Sequence, residues 1–453
     1  MFGERGPFRK SNRSAFLNFL HSKYEMYTGE VSVRSLPYYL TLEPSDRCQL
    51  RCPTCVTGIE NELKIRRDST TTFRNDRKIL THELLDALLS ELGEYLYLIV
   101  FYNFGEPLLN KDLPGLIRKA KAYDIETDVN TNLSLRLPDE RIEELLTSGL
   151  DYIYASIDGF SQETYQIHRV GGDLELVKYN LERIVRKRDE LGLTTSITFN
   201  FLVFSFNEHE IPAARRYCDD LGIHFNRRDA FIHDPSWLPS YRRHEKPWIV
   251  PREVSLPAEF SHRVGDVNLA WSPLPQPAAG QPPRCAWHYG FSAISAGGKV
   301  SPCCAVPDQK NDFGDFIPGR AGFREVWNNE RYRRSRADFS DRATDGLAST
   351  ICTECPVPKF VHHMYSLHDY KVIAQARRVL TGTDPLSDAF DLFSRTRYGV
   401  SGKELFPGGA FARPEHFFGV EDERDMDAFV SHCRLNLAEE FESSSREVRS
   451  GRR

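Results

Sequence analysis

The chain has 453 residues, which is enough for two or three domains with substantial hydrophobic cores. Its 59 Lys and Arg residues nearly balance 64 Asp and Glu residues, which argues against a nucleic-acid-binding surface. No stretch approaches the roughly 18 uninterrupted apolar residues that a membrane span requires. The basic N-terminus lacks the apolar core of a secretory signal, so we expect a cytoplasmic protein.

Strand and helix patterns alternate from residue 38 onward, after a basic lead-in at residues 1–37. Strands are predicted at residues 38–42, 95–102, 126–131, 152–157, 196–204 and 223–230. Helices are predicted at residues 81–93, 112–123, 138–148, 174–191 and 208–221. The six repeats indicate a parallel sheet with helices outside it and a functional site after the strands' carboxyl ends. A doubly wound sheet fits this pattern as well as a barrel does.

The first cysteine group follows the first predicted strand, where Cys48, Cys52 and Cys55 have the spacing C-x3-C-x2-C. Three thiolates on one loop can hold three corners of a cubane iron-sulfur cluster and leave the fourth iron open for another ligand. A three-thiolate zinc site and unrelated surface cysteines are the alternatives. The charged stretch at residues 59–78 is predicted to form a flap over this site.

Polar residues also follow the next three predicted strands. They are Gly105, Glu106, Pro107, Thr131, Asn132, Ser156, Asp158 and, eleven residues further on, Arg169. A glycine that permits close backbone approach, a carboxylate and a rigid proline suit the binding of an ammonium group. A helix-capping Asp158 and a solvated Arg169 are the alternatives for the fourth strand.

A second cysteine group lies between residues 285 and 355. It comprises Cys285, a predicted hairpin with Gly297 and Gly298 at its turn, the Cys303-Cys304 pair, a predicted helix at residues 322–336, Cys352 and Cys355. This arrangement indicates a compact four-cysteine cage, for which zinc and an iron-sulfur cluster compete almost evenly by spacing alone.

The remaining segments of the chain differ from one another in amino-acid composition. A stretch rich in Pro and Trp at residues 231–284 is predicted to form an ordered bridge of loops across the mouth of the sheet. Residues 361–440 are predicted to contain helices that cover the mouth or provide a packing surface, and residues 441–453 a disordered tail. Cys218, in the middle of a predicted helix, is expected to be structural, and Cys433 lies in the C-terminal extension.

The two cysteine groups and the Gly-Glu-Pro turn one repeat after the first group resemble the radical S-adenosylmethionine (radical SAM) superfamily with a C-terminal twitch or shortened SPASM domain. The resemblance selects a partial (β/α)6 TIM-like barrel across residues 38–230. It also implies an α+β auxiliary domain, a β-hairpin plus helix, at residues 285–360. A 4Fe-4S cluster on Cys48, Cys52 and Cys55 is then expected to bind SAM at its open iron and to cleave it to a 5'-deoxyadenosyl radical.

Further site residues are implied by the same resemblance. The turn at Gly105, Glu106 and Pro107 would hold the amino group of SAM, and Arg169 would pair with its carboxylate. The remaining implied contacts with SAM are Thr131, Asn132, Ser156 and Asp158. The implied ligands of an auxiliary 4Fe-4S cluster are Cys285, Cys303, Cys352 and Cys355. Residues 356–432 contain no cysteine, so one auxiliary cluster is expected rather than two.

Three functions are compatible with these features. The first is dehydrogenation or epimerisation of a small polyhydroxylated molecule, a sugar or aminocyclitol, with an electron donor such as flavodoxin or ferredoxin and no nucleic-acid or membrane partner. The second is a peptide-modifying maturase, and the third a zinc protein without enzymatic activity. An epimerase needs a cysteine that returns a hydrogen atom, for which Cys304, Cys433 and Cys218 are candidates in that order.

Overall fold

The computed structural model of the protein describes residues 29–63, 78–230, 235–240, 248–251, 266–269, 285, 287–304, 306, 308–320, 322–340 and 346–353, together with positions 15, 18, 19, 22, 25 and 26. The predicted flap and the predicted bridge lie mostly outside these residues. The predicted helices at 361–440, the predicted tail, Cys355 and Cys433 lie outside them entirely. The proposed domain boundaries stay predictions.

Six parallel strands form the centre of the fold, and each pairs with the next one along the chain. They are β1 (Tyr39–Leu42), β2 (Leu98–Val100), β3 (Glu126–Thr131), β4 (Tyr152–Ser156), β5 (Ser196–Val203) and β6 (His224–Asp229). Seven helices accompany them: α1 (Val56–Leu63), α2 (His82–Leu92), α3 (Leu113–Lys121), α4 (Asp139–Leu146), α5 (Gln162–His168), α6 (Leu174–Glu190) and α7 (Ile211–Leu221). Among the described helices, none has the length and apolar content to cross a membrane.

Helix α2 illustrates why these segments fold as they do. The Thr81 side chain caps its first turn by accepting a hydrogen bond from the N–H of Leu84 at 3.2 Å. Its leucines recur at helical spacing and are all buried against the sheet, namely Leu84, Leu85, Leu88, Leu89 and Leu92. The sequence predicted both this cap and this apolar face.

The order of the strands distinguishes the two architectures that the sequence pattern left open. A doubly wound sheet reverses its strand order at a switch point and so has helices on both faces. Strands β1 to β6 instead follow one another without reversal. The sheet is open, and the partial (β/α)6 barrel is therefore the fold of this region.

The C-terminal part of the described chain contains a separate pair of strands and then three strands that extend the same sheet. Strands β7 (Trp248–Pro251) and β8 (Asp266–Leu269) pair only with each other. They are followed by α8 (Trp287–Gly290), β9 (Phe291–Ile294), β10 (Lys299–Ser301), β11 (Gly314–Asp315), α9 (Phe323–Trp327) and α10 (Glu330–Asp338). Strands β9 and β10 form the predicted hairpin, whose turn contains Gly298 with φ +88°.

Strand β9 also pairs with β1, in parallel, with Tyr39 opposite Phe291 and Leu42 opposite Ile294. The full order is β11-β10-β9-β1-β2-β3-β4-β5-β6. The sequence suggested the hairpin but not this pairing, because the two strands are separated by about half the chain. The hairpin and the barrel share one continuous sheet.

The single predicted helix at residues 322–336 is wrong, because the chain breaks between α9 and α10. Asn329 interrupts it by capping α10, where its side-chain oxygen accepts from the N–H of Tyr332 at 3.1 Å. Its amide nitrogen donates to the Phe313 carbonyl at 2.5 Å. A side chain that satisfies two backbone groups stabilises the break more than helix continuation would.

Candidate active site

The first cysteine group lies on the loop after β1, at the carboxyl ends of the parallel strands. The N–H of Cys55 donates to the Cys52 carbonyl at 3.1 Å, and α1 begins directly afterwards. Asn61 on α1 reaches back to the carbonyls of Cys48 and Leu50, at 2.9 and 2.8 Å. One short loop and the following helix therefore hold all three predicted thiols.

Cys52 is buried, Cys48 and Cys55 are half-buried, and the three thiols interact electrostatically. Burial raises the pKa of each of them, to about 12 for Cys52. Glu106 and the other two thiols raise the pKa of Cys48 further, whereas backbone N–H groups at the start of α1 oppose the rise at Cys55. Because thiolates here need compensating positive charge, the donor set fits the iron ions of a cluster.

The turn at Gly105 packs directly on the cysteine loop. A Cβ atom on Gly105 would lie 1.7 Å from the Ser45 carbonyl oxygen and 2.9 Å from that of Arg47. The N–H of Glu106 donates to the same Arg47 carbonyl at 2.6 Å. The close backbone approach predicted for this glycine is therefore an approach to the cysteine loop.

We expect Gly105→Ala to weaken SAM binding by about tenfold or more, because overpacking of this kind costs about 1–3 kcal/mol. The measurement is SAM affinity by equilibrium dialysis of the anaerobically reconstituted protein. Gly322→Ala is the matched control, because its Cβ would meet only the flexible end of Glu91, at 3.3 Å. Wild-type affinity in Gly105→Ala would show that the two loops tolerate separation.

Glu106 connects the turn to the end of β3. Its carboxylate accepts hydrogen bonds from Thr131 Oγ1 at 2.6 Å, the N–H of Asn132 at 2.9 Å and the N–H of Leu108 at 3.0 Å. Asn132 in turn approaches Cys48, with its amide nitrogen 3.6 Å from the sulfur. The structure thus brings these predicted residues together, but the contacts of Glu106 are internal, and its role toward an ammonium group stays a prediction.

Glu43 is a site residue that the sequence reasoning misses. It lies at the end of β1 with 0% of its surface exposed, and Oε1 accepts from the N–H groups of Phe104 and Gly105 at 2.7 and 2.5 Å. It therefore holds the backbone of the turn at the end of β1. A carboxylate placed directly after a buried apolar strand is the signal that could have identified it.

Asp158 is the centre of a buried hydrogen-bond network close to Cys52. Its carboxylate accepts from Arg169 Nε at 2.5 Å, His168 Nδ1 at 2.8 Å and the N–H of Leu202 at 3.0 Å. Burial alone would raise the pKa of Asp158, but Arg169 and His168 hold it at about 2. Because an ionised carboxylate only accepts, His168 donates through Nδ1 and accepts from Thr54 through Nε2, at 2.7 Å.

This network positions Arg169 beside the first cysteine group. A hydrogen bond and the charge of Arg169 both act to lower the pKa of Cys52. A guanidinium held there suits a carboxylate ligand, which supports the predicted role of Arg169. Asp158 uses both oxygens within the protein, so its structural contacts are those of a positioning residue, and its predicted contact with SAM stays a prediction.

Polar side chains line the face of β3 to β6 that points away from the helices, and by strand alternation they include the charged Asp128 on β3 and Arg228 on β6. Residues alternating with them, such as Val129 and Phe199, belong to the helix-packed core. On the inner face, Ser156 Oγ donates to Asn130 Oδ1 at 2.5 Å, and Asn226 Nδ2 donates to Asn200 Oδ1 at 2.8 Å; Ser156 and Asn200 are register partners. Predicted residue Ser156 thus belongs to a ladder of amides and hydroxyls.

The other half of the inner face, on β9, β1 and β2, is apolar. Its cluster comprises Ala15, Phe19, Tyr39, Tyr97, Leu98, Val100, Phe291 and Ala293. Cys303 and Cys304 pack against this cluster. Burial raises the pKa of Cys304 to about 11, and the charge of Arg228 on β6 opposes the rise. Cys304, the first candidate hydrogen donor, therefore faces the inside of the barrel.

The described members of the second cysteine group converge beside α8 and α10. Cys352 Sγ lies 3.3 Å from the ring nitrogen Nε2 of His288. The backbone N–H of His288 donates to the Cys285 carbonyl at 3.1 Å. Cys303 and Cys352 both act on the pKa of the buried Tyr332, which is raised mainly by burial. Cys285 and Cys352 both contact His288, and no group of three metal-ligating side chains is complete among the described residues, so the cage stays a prediction. Cys355 lies outside the described residues, and its place in the cage stays a prediction.

The two cysteine groups lie at opposite ends of the β1–β9 pair. The first group follows the carboxyl end of β1. The second surrounds the amino end of β9, because Cys285 precedes this strand and β10 returns antiparallel to it before Cys303. The inner face of the barrel lies between them.

Two of the cysteines remain apart from these groups. Cys218 is buried within α7 in the helix-packed core, in agreement with its predicted structural role. This location removes it from the inner face where a hydrogen donor would be needed. Cys433 lies outside the described residues and stays a prediction.

Comparison with protein families identifies both regions. Residues 42–218 match the radical SAM superfamily. Residues 285–356 match SPASM, an iron-sulfur cluster-binding domain. Both regions contain the cysteines described above.

Relatives with assigned names are distant. A PqqA peptide cyclase of Bradyrhizobium diazoefficiens is 27% identical over 308 residues, which are 66% of this chain and 76% of that protein. A probable GTP 3',8-cyclase of Methanococcus maripaludis is 27% identical over 185 residues, 41% of this chain and 55% of that protein. The crystal structure of BtrN with AdoMet and 2-DOIA superposes with a TM-score of 0.37 at 14% identity, covering 68% of this chain and 88% of that one.

Proposed function

The chain belongs to the radical SAM superfamily and contains a SPASM iron-sulfur domain, and on that premise we propose that it removes a hydrogen atom from a small polyhydroxylated substrate. The substrate class would be a sugar or an aminocyclitol, and the product a ketone or an epimer. When bound, the 4Fe-4S cluster and SAM supply a 5'-deoxyadenosyl radical, and the auxiliary cluster supplies a one-electron acceptor. A flavodoxin or ferredoxin would be the external electron donor.

The residues that would hold these groups come from both ends of the barrel. Cys48, Cys52 and Cys55 would bind the first cluster. The Gly105 turn would receive the amino group of SAM, and Arg169 its carboxylate. At the other end, the ligands of one auxiliary cluster would be Cys285, Cys303, Cys352 and Cys355. A single cluster corresponds to the shortened, twitch-like form of the domain.

The observation that carries the proposal is the ladder of amides and hydroxyls on the inner face of β3 to β6, which this face presents beside the charged Asp128 and Arg228. Asn130, Ser156, Asn200 and Asn226 offer amide and hydroxyl groups without a formal charge. Such groups pair with substrate hydroxyls and leave a buried donor or acceptor unpaired when the hydroxyl is missing. A substrate bound there would lie between a radical source and an electron acceptor.

The proposed oxidation balances. One hydrogen atom leaves the C–H bond beside a hydroxyl and forms 5'-deoxyadenosine. The substrate radical then loses the hydroxyl proton to solvent and one electron to the auxiliary cluster, and the C–O bond becomes C=O. For epimerisation, the S–H of a cysteine instead returns a hydrogen atom to the opposite face of the carbon, and the thiyl radical that remains is reduced to the thiol by one electron from the external donor and one solvent proton. Cys304 is the described cysteine on the inner face that is outside both proposed ligand sets.

The test is a substrate panel in D2O with anaerobically reconstituted enzyme, SAM and a reductant. We expect 5'-deoxyadenosine to accumulate with a sugar or aminocyclitol, together with a product that lacks two hydrogen atoms or has gained one solvent deuterium. Cys304→Ala separates these outcomes, because it would abolish deuterium gain and leave ketone formation intact. No increase in 5'-deoxyadenosine with any member of the panel would reject the proposed substrate class.

Modification of a peptide is the second candidate. The similarity to PqqA peptide cyclase supports it, because it extends over 66% of this chain. Peptides, like polyols, present neutral hydrogen-bonding groups that suit the same ladder. Deoxyadenosine formation with a peptide substrate, and none with the panel of polyols, would favour this second function.

A further inference from the structure

His288 is held against the second cysteine group by its position in α8 and by contacts with Arg336 and Phe339. It lies in α8, directly before β9, with 2% of its surface exposed. Its ring is 5.6 Å from that of Phe339, centroid to centroid, at an angle of 30°. Its carbonyl accepts from Arg336 Nε at 2.9 Å. The ring is therefore fixed in position, and its Nε2 lies 3.3 Å from Cys352 Sγ.

The surroundings of the ring determine which nitrogen carries its proton. Nδ1 is buried without a hydrogen-bond partner among the described residues. A proton on Nδ1 would leave an unsatisfied buried N–H group, which costs about 1–3 kcal/mol. A proton on Nε2 points instead at the sulfur of Cys352, which accepts a hydrogen bond as a thiolate. The neutral tautomer with hydrogen on Nε2 is therefore favoured.

We propose that His288 donates a hydrogen bond from Nε2 to the sulfur of Cys352 and thereby raises the reduction potential of the auxiliary cluster. Hydrogen bonds to ligating sulfurs stabilise the more negative, reduced state of an iron-sulfur cluster over its oxidised state. His288 would thus be a positioning and tuning residue rather than a ligand. The inference depends on the auxiliary cluster and is independent of the substrate class.

This contact would favour electron transfer from the substrate radical to the auxiliary cluster. A higher potential makes the cluster a better acceptor for the electron that a substrate radical releases. In this second step the inference rests on the proposed oxidation. The potential itself can be measured without any substrate, so failure of one proposal is distinguishable from failure of the other.

The experiment uses full-length protein in which Cys48, Cys52 and Cys55 are replaced by Ala, so that the auxiliary cluster is observed alone. Potentiometric titration followed by EPR gives its midpoint potential. We expect a more negative midpoint in His288→Leu, with iron and labile sulfide unchanged at about four per chain. The exposed His209 provides the matched control, and His209→Leu should keep the parent potential.

His288→Gln keeps a polar N–H group in the same place and tests the origin of the shift. We expect its midpoint between those of the parent and His288→Leu. An unchanged midpoint in His288→Leu with iron retained would overturn the proposal. Loss of cluster iron in both variants would also overturn it, because His288 would then be required for the cage itself.

Discussion

Replacing Cys48, Cys52 and Cys55 together by Ala is expected to lower the reconstituted iron from about eight to about four per chain, with a parallel loss of labile sulfide. Formation of 5'-deoxyadenosine should fall to background, because the chain then lacks the thiolates proposed to hold the SAM-binding cluster. The second cysteine group lies at the other end of the β1–β9 pair and should retain its iron. Iron and sulfide analysis after anaerobic reconstitution is the measurement.

Cys218→Ala is the control, because this buried cysteine lies in the helix-packed core and outside both groups. It should retain about eight irons per chain. Wild-type protein with only about four irons, falling to none in the triple variant, would contradict the prediction. The second group would then hold no iron-sulfur cluster, and electron transfer to it would have to be abandoned.

Asp158→Ala is expected to cost about 3–5 kcal/mol in the free energy of unfolding, because it leaves Arg169 as a buried charge without its partner. Asp158 has 0% of its surface exposed and accepts hydrogen bonds from three groups, on His168, Arg169 and Leu202. Urea unfolding of the protein without iron gives the change. The matched control is Asp86→Ala, which removes a carboxylate paired with Lys119 at an exposed position and should change stability little. Equal, small effects of both variants would show that the buried network contributes no more to the free energy of unfolding than an exposed ion pair does.

The same carboxylate predicts how stability depends on pH. Its pKa in the folded protein, about 2, lies below its ordinary value of 3.8. The stabilisation is therefore complete above pH 3.8 and is lost as the pH falls through about 2. Asp158→Asn lacks this titration, so its stability should fall less than that of the wild type across this interval. Parallel urea titrations at several acidic pH values would reveal a difference or its absence.

The sequence predicted those parts of the fold that depend on local patterns. Strand β3 has the predicted bounds, and α2 begins after the predicted cap at Thr81. The first cysteine loop and the Gly105 turn are adjacent because parallel strands bring their carboxyl ends to one edge of a sheet. These features follow from periodicity, capping and topology, which nearby residues determine.

Other features depend on contacts between distant residues. The pairing of β9 with β1 links segments about half a chain apart, and no local pattern specifies it. The buried contacts of Glu43 and Asp158 depend on which backbone groups the folded loops bring within reach. His288 is likewise an ordinary residue in the sequence, and its significance arises from the position of Cys352, which lies 64 residues away.

The continuous sheet also fixes a length. Two redox centres on separately folded domains can change their separation when the domains move. Here the proposed sites of both centres flank the same hydrogen-bonded strand pair, and β1 contains four residues. At a rise of about 3.3 Å per residue, that strand spans about 10 Å. The separation of the two proposed redox centres would therefore depend on the number of residues in this strand.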